Sequence, residues 1–326
     1  MSNKRPKVVI TDCDHPSVGI ERAILSEIDP ELILANCNTE DEAIEAAKDA
    51  DGIINQYAPI TRRVIESLKR CKVIARYGVG VDNIDVEAAT EHNIIVANVP
   101  DYCVDEVSTH TITLMLACAR RVTLLDRKVR DKKWDFTIAK PLFRTRGKTL
   151  GLFGLGRIAN MVAQKALGFG FRIIAYDPYV SKDDEGIRLV EFSQLLSDSD
   201  FISIHTPLTN ETKHAFGENE LKAMRKIAYL INTSRGPIVN EKALYKALKK
   251  KWITGAALDV MEKEPPDWEN PLLKLDNLII TPHISFYSEE SYIELKTKVA
   301  QAVLSILKGE LPRAIVNSQL QVINRK

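Results

Sequence analysis

Thr149-Leu150-Gly151-Leu152-Phe153-Gly154-Leu155-Gly156-Arg157-Ile158-Ala159 is the stretch that decides the fold. A short apolar run, of strand length, ends on the form G-x-G-x-x-A, and the residues after it keep helical spacing to about Gly168. Glycines at this spacing are frequent in turns and say little alone. Between a strand and a helix they have a mechanical meaning: Gly154 permits the tight turn, Gly156 lets backbone approach a pyrophosphate, and Ala159 stands where a third glycine would pack helix on strand. The open N–H groups and the dipole of the helix N-terminus then hold an anion. After the next apolar run, Arg172-Ile173-Ile174-Ala175-Tyr176, comes Asp177, eighteen positions beyond Ala159. A carboxylate there accepts hydrogen bonds from ribose hydroxyls and repels a 2′-phosphate, so the cofactor predicted is NAD rather than NADP.

Further apolar runs follow at Phe201–Ile204, Ala228–Ile231, Ala256–Leu258 and Leu278–Ile280. Six strands with helices between them make a doubly wound dinucleotide-binding sheet. Upstream, Val8–Thr11, Gly52–Ile54, Val73–Ala75 and Ile94–Ala97 are β-branched runs separated by amphipathic segments, a βα series of its own. The fold class expected is α/β: two Rossmann- or flavodoxin-like domains with parallel sheets. Residues 1–101 with 290–326 would form a substrate-binding domain, and 102–289 the NAD-binding domain, because the helix pattern at about Glu289 to Lys308 leaves the second series and returns to the first. Residues 102–130 read as one long helix whose apolar positions, among them Val107, Ile112, Leu114, Met115, Leu124 and Leu125, are too many for a narrow stripe. An interdomain spine and a subunit interface explain that breadth equally well.

The chain of 326 residues is 45% apolar and 27% charged, enough for two cores. Its 45 basic and 44 acidic residues leave a net charge of +1, so no global field draws nucleic acid or an anionic membrane. Cysteines at 13, 37, 71, 103 and 118 lack metal-ligand spacing and suit a reducing compartment. The polar opening segment, Met1 to Lys7, lacks the apolar core of a signal peptide, and no run reaches the roughly 20 apolar residues of a membrane span. The cytoplasm is the expected location, with no metal.

Three segments, each after a predicted strand of the second sheet, resemble the D-isomer-specific 2-hydroxyacid dehydrogenase family: Asn232-Thr233-Ser234-Arg235-Gly236, Ala257 to Pro265, and Thr281-Pro282-His283. Tyr77-Gly78-Val79-Gly80-Val81-Asp82-Asn83 and His205-Thr206-Pro207-Leu208-Thr209 extend the likeness over nearly the whole chain. Asn98 to Tyr102 and Pro178-Tyr179 look closest to the C-terminal-binding-protein group, some of whose members are NAD-responsive corepressors.

The chemistry can be argued from the residues. Hydride arriving at carbon 2 of a 2-oxo acid puts charge on the carbonyl oxygen, which requires a proton donor with a pKa near neutrality. His283 fits that role; an adjacent carboxylate would orient the ring and favour its charged form, a part the resemblance gives to Glu264. Arg235 offers a planar cationic fork for the substrate carboxylate or carbonyl. Taken singly, such residues are ordinary structural or surface groups; three at strand ends in one pattern point to a site. Formate-type relatives need no proton transfer and are similar except for glutamine at the acid's place, so Glu264 argues for proton-coupled hydride transfer. The resemblance further implies that Asp259 binds the nicotinamide carboxamide, that Arg157 and Ile158 meet the pyrophosphate, and that Thr206, Pro207, Thr212 and Thr233 line the cofactor. It gives the backbone of Val79 and Gly80 to the substrate carboxylate, with Arg76 and Tyr77 as side-chain contacts on the same loop. His110 reads as a packed structural histidine, and Thr109 stands where the family often has glutamate.

The activity expected is hydride transfer between NAD(H) and C2 of a small 2-hydroxy or 2-oxo acid, in an interdomain cleft of a homodimeric enzyme. The alternative is an NAD(H)-sensing interaction protein with little turnover. A Rossmann methyltransferase would leave Asp177 and the C-terminal triad unexplained.

Overall fold

The computed structural model describes residues 5–182 and 186–320. The first residues of the polar N-terminal segment and the last of those assigned to the first domain lie outside them. Two compact units divide the chain: Met1–Cys103 with Ser288–Lys326, and Val104–Tyr287.

In the first unit, strands and helices alternate as β1 (Lys7–Ile10), α1 (Gly19–Leu25), β2 (Glu31–Leu34), α2 (Glu40–Ala47), β3 (Gly52–Asn55), α3 (Arg62–Ser67), β4 (Val73–Arg76), α4 (Val86–Glu91) and β5 (Ile95–Ala97). The sheet has the order β2-β1-β3-β4-β5 with every pairing parallel. Val9, Ile53, Ile74 and Val96 from adjacent strands are buried in one core cluster, as continuous β-branched runs demand of a sheet covered on both faces. β2 is not among the strands expected from the sequence, although Leu32-Ile33-Leu34 is apolar; it sits at the sheet edge, where both its end residues are exposed.

The second unit opens with helices α5 (Val104–Arg120) and α6 (Val122–Arg130), then β6 (Thr149–Phe153), α7 (Arg157–Gly168), β7 (Arg172–Tyr176), β8 (Ile187–Leu189), α8 (Phe192–Asp198), β9 (Phe201–Ile204), α9 (Glu218–Ala223), β10 (Tyr229–Asn232), α10 (Glu241–Lys249), β11 (Gly255–Leu258) and β12 (Leu278–Ile280). Its parallel sheet runs β12-β11-β10-β9-β6-β7-β8, so the order reverses between β6 and β9, the switch point at which doubly wound sheets bind ligands. Six of its strands are the apolar runs of the sequence; the seventh, the edge strand β8, has an exposed Arg188 between Ile187 and Leu189 and so forms no continuous run.

The expected single helix over 102–130 is broken at Arg121, whose φ of 50° and ψ of 36° lie in the left-handed region. Its apolar residues divide accordingly. α5 buries Ile112, Leu114 and Met115 against α7 and the sheet of its own unit, whereas α6 buries none. After β12 the chain returns to the first unit through α11 (Glu289–Leu307), whose start is fixed by Ser288, its Oγ accepting the Ser291 N–H at 2.9 Å. No helix among the described residues is long and apolar enough to cross a membrane.

Candidate active site

The cofactor fingerprint takes the shape its glycines allow. Gly154, at φ +92°, follows β6, and a Cβ there would lie 2.7 Å from Thr206 Cγ2 and 2.8 Å from the His205 carbonyl. Gly156 caps α7 without any side-chain bond, and a Cβ built on it meets nothing within 4 Å. An open face in front of uncapped helix N–H groups suits a pyrophosphate. Thr206 Oγ1, beside that turn, is buried without a hydrogen-bond partner, a polar atom that a bound ligand would satisfy. The residues present therefore fit a dinucleotide. At the end of β7 the Asp177 carboxylate is held by two backbone donors, Leu155 N–H at 2.8 Å and Tyr179 N–H at 2.9 Å, with acceptor capacity left for ribose hydroxyls.

Other residues expected at the cofactor make hydrogen bonds within the surrounding loops. Thr212 Oγ1 donates to the Pro207 carbonyl at 2.7 Å and accepts the Thr209 N–H at 2.8 Å, closing the turn after β9. Thr233 is 8% exposed, with its hydroxyl 2.9 Å from that of Thr111 on α5. Asp259, 1% exposed, accepts the Thr281 hydroxyl at 2.6 Å and the Ile284 and Ser285 N–H groups at 3.0 and 2.9 Å. That carboxylate braces the segment carrying His283. His110, on α5, adds its Nε2 at 3.1 Å from Thr281 Oγ1.

The three candidate catalytic side chains leave the C-terminal ends of neighbouring parallel strands, β10, β11 and β12. Asn232 staples the turn before Arg235: its Oδ1 accepts the Ser234 N–H at 3.0 Å and its Nδ2 donates to the Arg235 carbonyl at 2.9 Å. The next residue, Gly236, packs so closely that a Cβ would come within 1.9 Å of the Met261 carbonyl, which sets the Arg235 backbone against the loop leading to Glu264. Glu264 Oε1 accepts the Met261 N–H at 2.8 Å, and Oε2 lies 2.6 Å from His283 Nδ1. A carboxylate is an acceptor, so Nδ1 carries the proton and donates, while Nε2 is left for chemistry. His283 itself holds φ +51°, and its N–H donates to the Asp259 carbonyl at 2.8 Å. The His283 and Glu264 side chains are 33% and 36% exposed, accessible to a small molecule.

In the first unit, β4 ends at Arg76 and a glycine-rich loop follows. Gly78, at φ +141°, lies under the Arg76 guanidinium, whose Nη1 occupies the space a Cβ would need. Among the described residues no acceptor within the chain takes the Val79 or Gly80 N–H. Tyr77 is 2% exposed and its hydroxyl donates to Glu21 Oε1 at 2.7 Å, which makes the phenol an internal anchor of this unit. Sequence reasoning assigned no part to Glu21, Asn232, Thr281 or Lys296; Asn232 and Thr281 stand inside motifs that pointed at their neighbours.

The model of the D-isomer specific 2-hydroxyacid dehydrogenase NAD binding domain matches residues 112–285. A glyoxylate reductase of Korarchaeum cryptofilum is 42% identical over 284 residues, 85% of this chain and 86% of that protein. A D-3-phosphoglycerate dehydrogenase of Methanocaldococcus jannaschii is 43% identical over 316 residues, 95% of this chain but 59% of the relative's own length. The crystal structure of D-lactate dehydrogenase from Aquifex aeolicus complexed with NAD and lactic acid superposes with a TM-score of 0.85 at 29% identity, over 95% of this chain and 98% of that one. Neither these relatives nor the geometry supports a sensing protein with little turnover. With the reversal of strand order, the dinucleotide turn and the imidazole–carboxylate pair all falling within or beside the matched segment, the chain belongs to the D-isomer specific 2-hydroxyacid dehydrogenase family of NAD-linked oxidoreductases.

Proposed function

We propose that this enzyme reduces small 2-oxo acids with His283 as proton donor, Glu264 as the partner of its imidazolium, and Arg235 as the clamp on the substrate's carboxylate or carbonyl. The observation that carries the reading is the 2.6 Å contact between His283 Nδ1 and Glu264 Oε2. When bound, NADH supplies the hydride. His283 holds a proton at Nε2 and delivers it to the carbonyl oxygen as C2 is reduced; in the reverse direction the neutral ring takes that proton back. Glu264 keeps the ring in one tautomer and offsets its positive charge. Arg235 polarises the bond under attack. The Val79 and Gly80 N–H groups take the substrate carboxylate, and the N-terminus of α7, Thr206 and Asp177 bind pyrophosphate and ribose. Asp259 supports the site through the 281–285 segment.

Glyoxylate is the first substrate to test, because a reductase of that name is 42% identical over 85% of this chain. NADH consumption over a panel of 2-oxo acids reads the activity directly. His283→Ala should lower kcat by about 10²–10⁴-fold while NADH binding, followed by fluorescence, stays near wild type; unchanged turnover would remove His283 from the mechanism.

A homodimer in the cytoplasm completes the reading. Trp134, Phe136 and Phe143 are 91%, 74% and 50% exposed, close in sequence to an α6 that buries none of its residues. A cavity of about 650 Å³ lined by Cys118, Leu124, Pro141, Phe143, Tyr229 and Ile279 opens in the same unit. Apolar surface of that kind marks an interface, and a second copy is the simplest partner. Five free cysteines agree with a reducing compartment. Trp134→Ser with Phe136→Ser should yield a monomer in sedimentation velocity; a dimer that persists would place the interface elsewhere.

A further inference from the structure

The first unit buries a charged pair that the reaction above does not use. Glu21 on α1 is fully buried and Lys296 on α11 is 3% exposed, with Oε2 and Nζ 3.6 Å apart. Lys296 also donates to the Ser17 carbonyl, and its Nζ lies 5.3 Å over the Tyr292 ring. Apolar residues in place of such a pair are often neutral or stabilising, so stability alone does not account for it. The other Glu21 oxygen, Oε1, accepts the Tyr77 hydroxyl at 2.7 Å. Burial first, and then the Glu21 charge, push the Tyr77 phenol well above its ordinary pKa, so it stays a donor. His15 flanks it edge-on, its ring centroid 4.8 Å from that of Tyr77 and 4.7 Å from that of Tyr292.

Tyr77 is the first residue after β4 and runs directly into Gly78-Val79-Gly80. The far side of that loop is held by the Val99 N–H on the Gly78 carbonyl at 2.9 Å and by Asn98 Nδ2 on the Val79 carbonyl at 2.7 Å. The Tyr77 N–H donates to the Asn55 carbonyl at 2.8 Å. What fixes the near side through a side chain is the phenol on Glu21. A loop that must present two N–H groups to one carboxylate binds more tightly when its order exists beforehand. We infer that Glu21, its charge offset by Lys296, is a positioning residue: it anchors the Tyr77 phenol and through it the 78–80 backbone that receives the substrate carboxylate. The inference deepens the proposed function and rests on its assignment of that loop.

Two double variants test it. Glu21→Leu with Lys296→Met removes the acceptor for Tyr77, whereas Glu21→Gln with Lys296→Met keeps an uncharged one. The first should raise KM for the oxo acid about tenfold, with kcat and NADH affinity close to wild type, and speed deuterium exchange at the Tyr77 and Val99 amides. The second should restore both readouts to near wild type. Tyr77→Phe, which deletes only the hydroxyl, must reproduce the first result if the Leu–Met variant does not fold. A folded Leu–Met variant with wild-type KM and exchange, or equal losses in both double variants, overturns the inference. A wild-type chain that turns over no oxo acid refutes the proposed function instead, and the exchange measurement still decides whether Glu21 holds the loop.

Discussion

His205 precedes Thr206, whose Oγ1 is buried, and burial alone drives the His205 imidazole down to about 3. In the unfolded chain the same ring titrates near 6.5. Between those values the unfolded state binds the extra proton, so its contribution to stability is complete above about pH 6.5 and is lost as pH falls toward 3. His205→Asn should flatten the dependence of Tm on pH across that window; the same slope in both proteins would mean that the ring is solvated. At this scale the sequence is legible where function compresses residues into short motifs. Gly154, Asp177, Arg235 and His283 sit in such motifs because strand ends bring a few consecutive residues to one site. The Glu21–Tyr77 contact joins residues 56 positions apart, and nothing local marks either as a partner of the other. Thr212 and Asp259 show the converse: their motifs are legible, but only the hydrogen-bond geometry shows that they brace loops.

The turn from β6 into α7 allows the backbone's two demands to be separated. Gly154→Ala adds a methyl at φ +92° and within 2.8 Å of the His205 carbonyl, so it should destabilise the fold by about 1–3 kcal/mol. Gly156→Ala adds its methyl to open space at φ −80°. Tm should fall by only a few degrees, while the Kd for NADH rises about tenfold or more, because the methyl stands where the pyrophosphate must approach. Isothermal titration together with thermal melts distinguishes the two; similar affinity losses at matched stability would contradict the assignment. Central strands of both sheets announce themselves as continuous runs without charged residues, since they are buried on two faces. Of the edge strands, β5 and β12 are equally plain, whereas β8 is not, because an exposed Arg188 separates Ile187 from Leu189; β2 is apolar at Leu32-Ile33-Leu34 and was not expected. The break between α5 and α6 escaped the sequence for a different reason: Arg121 is no helix breaker, and only its left-handed backbone ends the first helix.

At the scale of the whole molecule, the division into Met1–Cys103 with Ser288–Lys326 and Val104–Tyr287 separates two apolar cores. The groups assigned to pyrophosphate, ribose and nicotinamide all belong to the second unit, whose cofactor turn, orphaned Thr206 hydroxyl and Asp177 carboxylate lie within one sheet's C-terminal edge. A ligand that binds only folded protein stabilises what it binds by RT ln(1 + [L]/Kd), about 2.7 kcal/mol at a hundredfold excess over Kd. For a unit of this size that corresponds to a rise of roughly 5–10 °C in Tm. Differential scanning calorimetry should therefore show NADH raising the transition of the second unit. Deuterium exchange assigns it: protection should increase in β6, α7 and β7 and leave β1 and β3 unchanged. Equal protection of the first unit's strands by cofactor alone would mean that the two cores unfold as one cooperative body. In that case the return of α11 to the first sheet, which makes the chain cross between units twice, is a thermodynamic link as well as a covalent one.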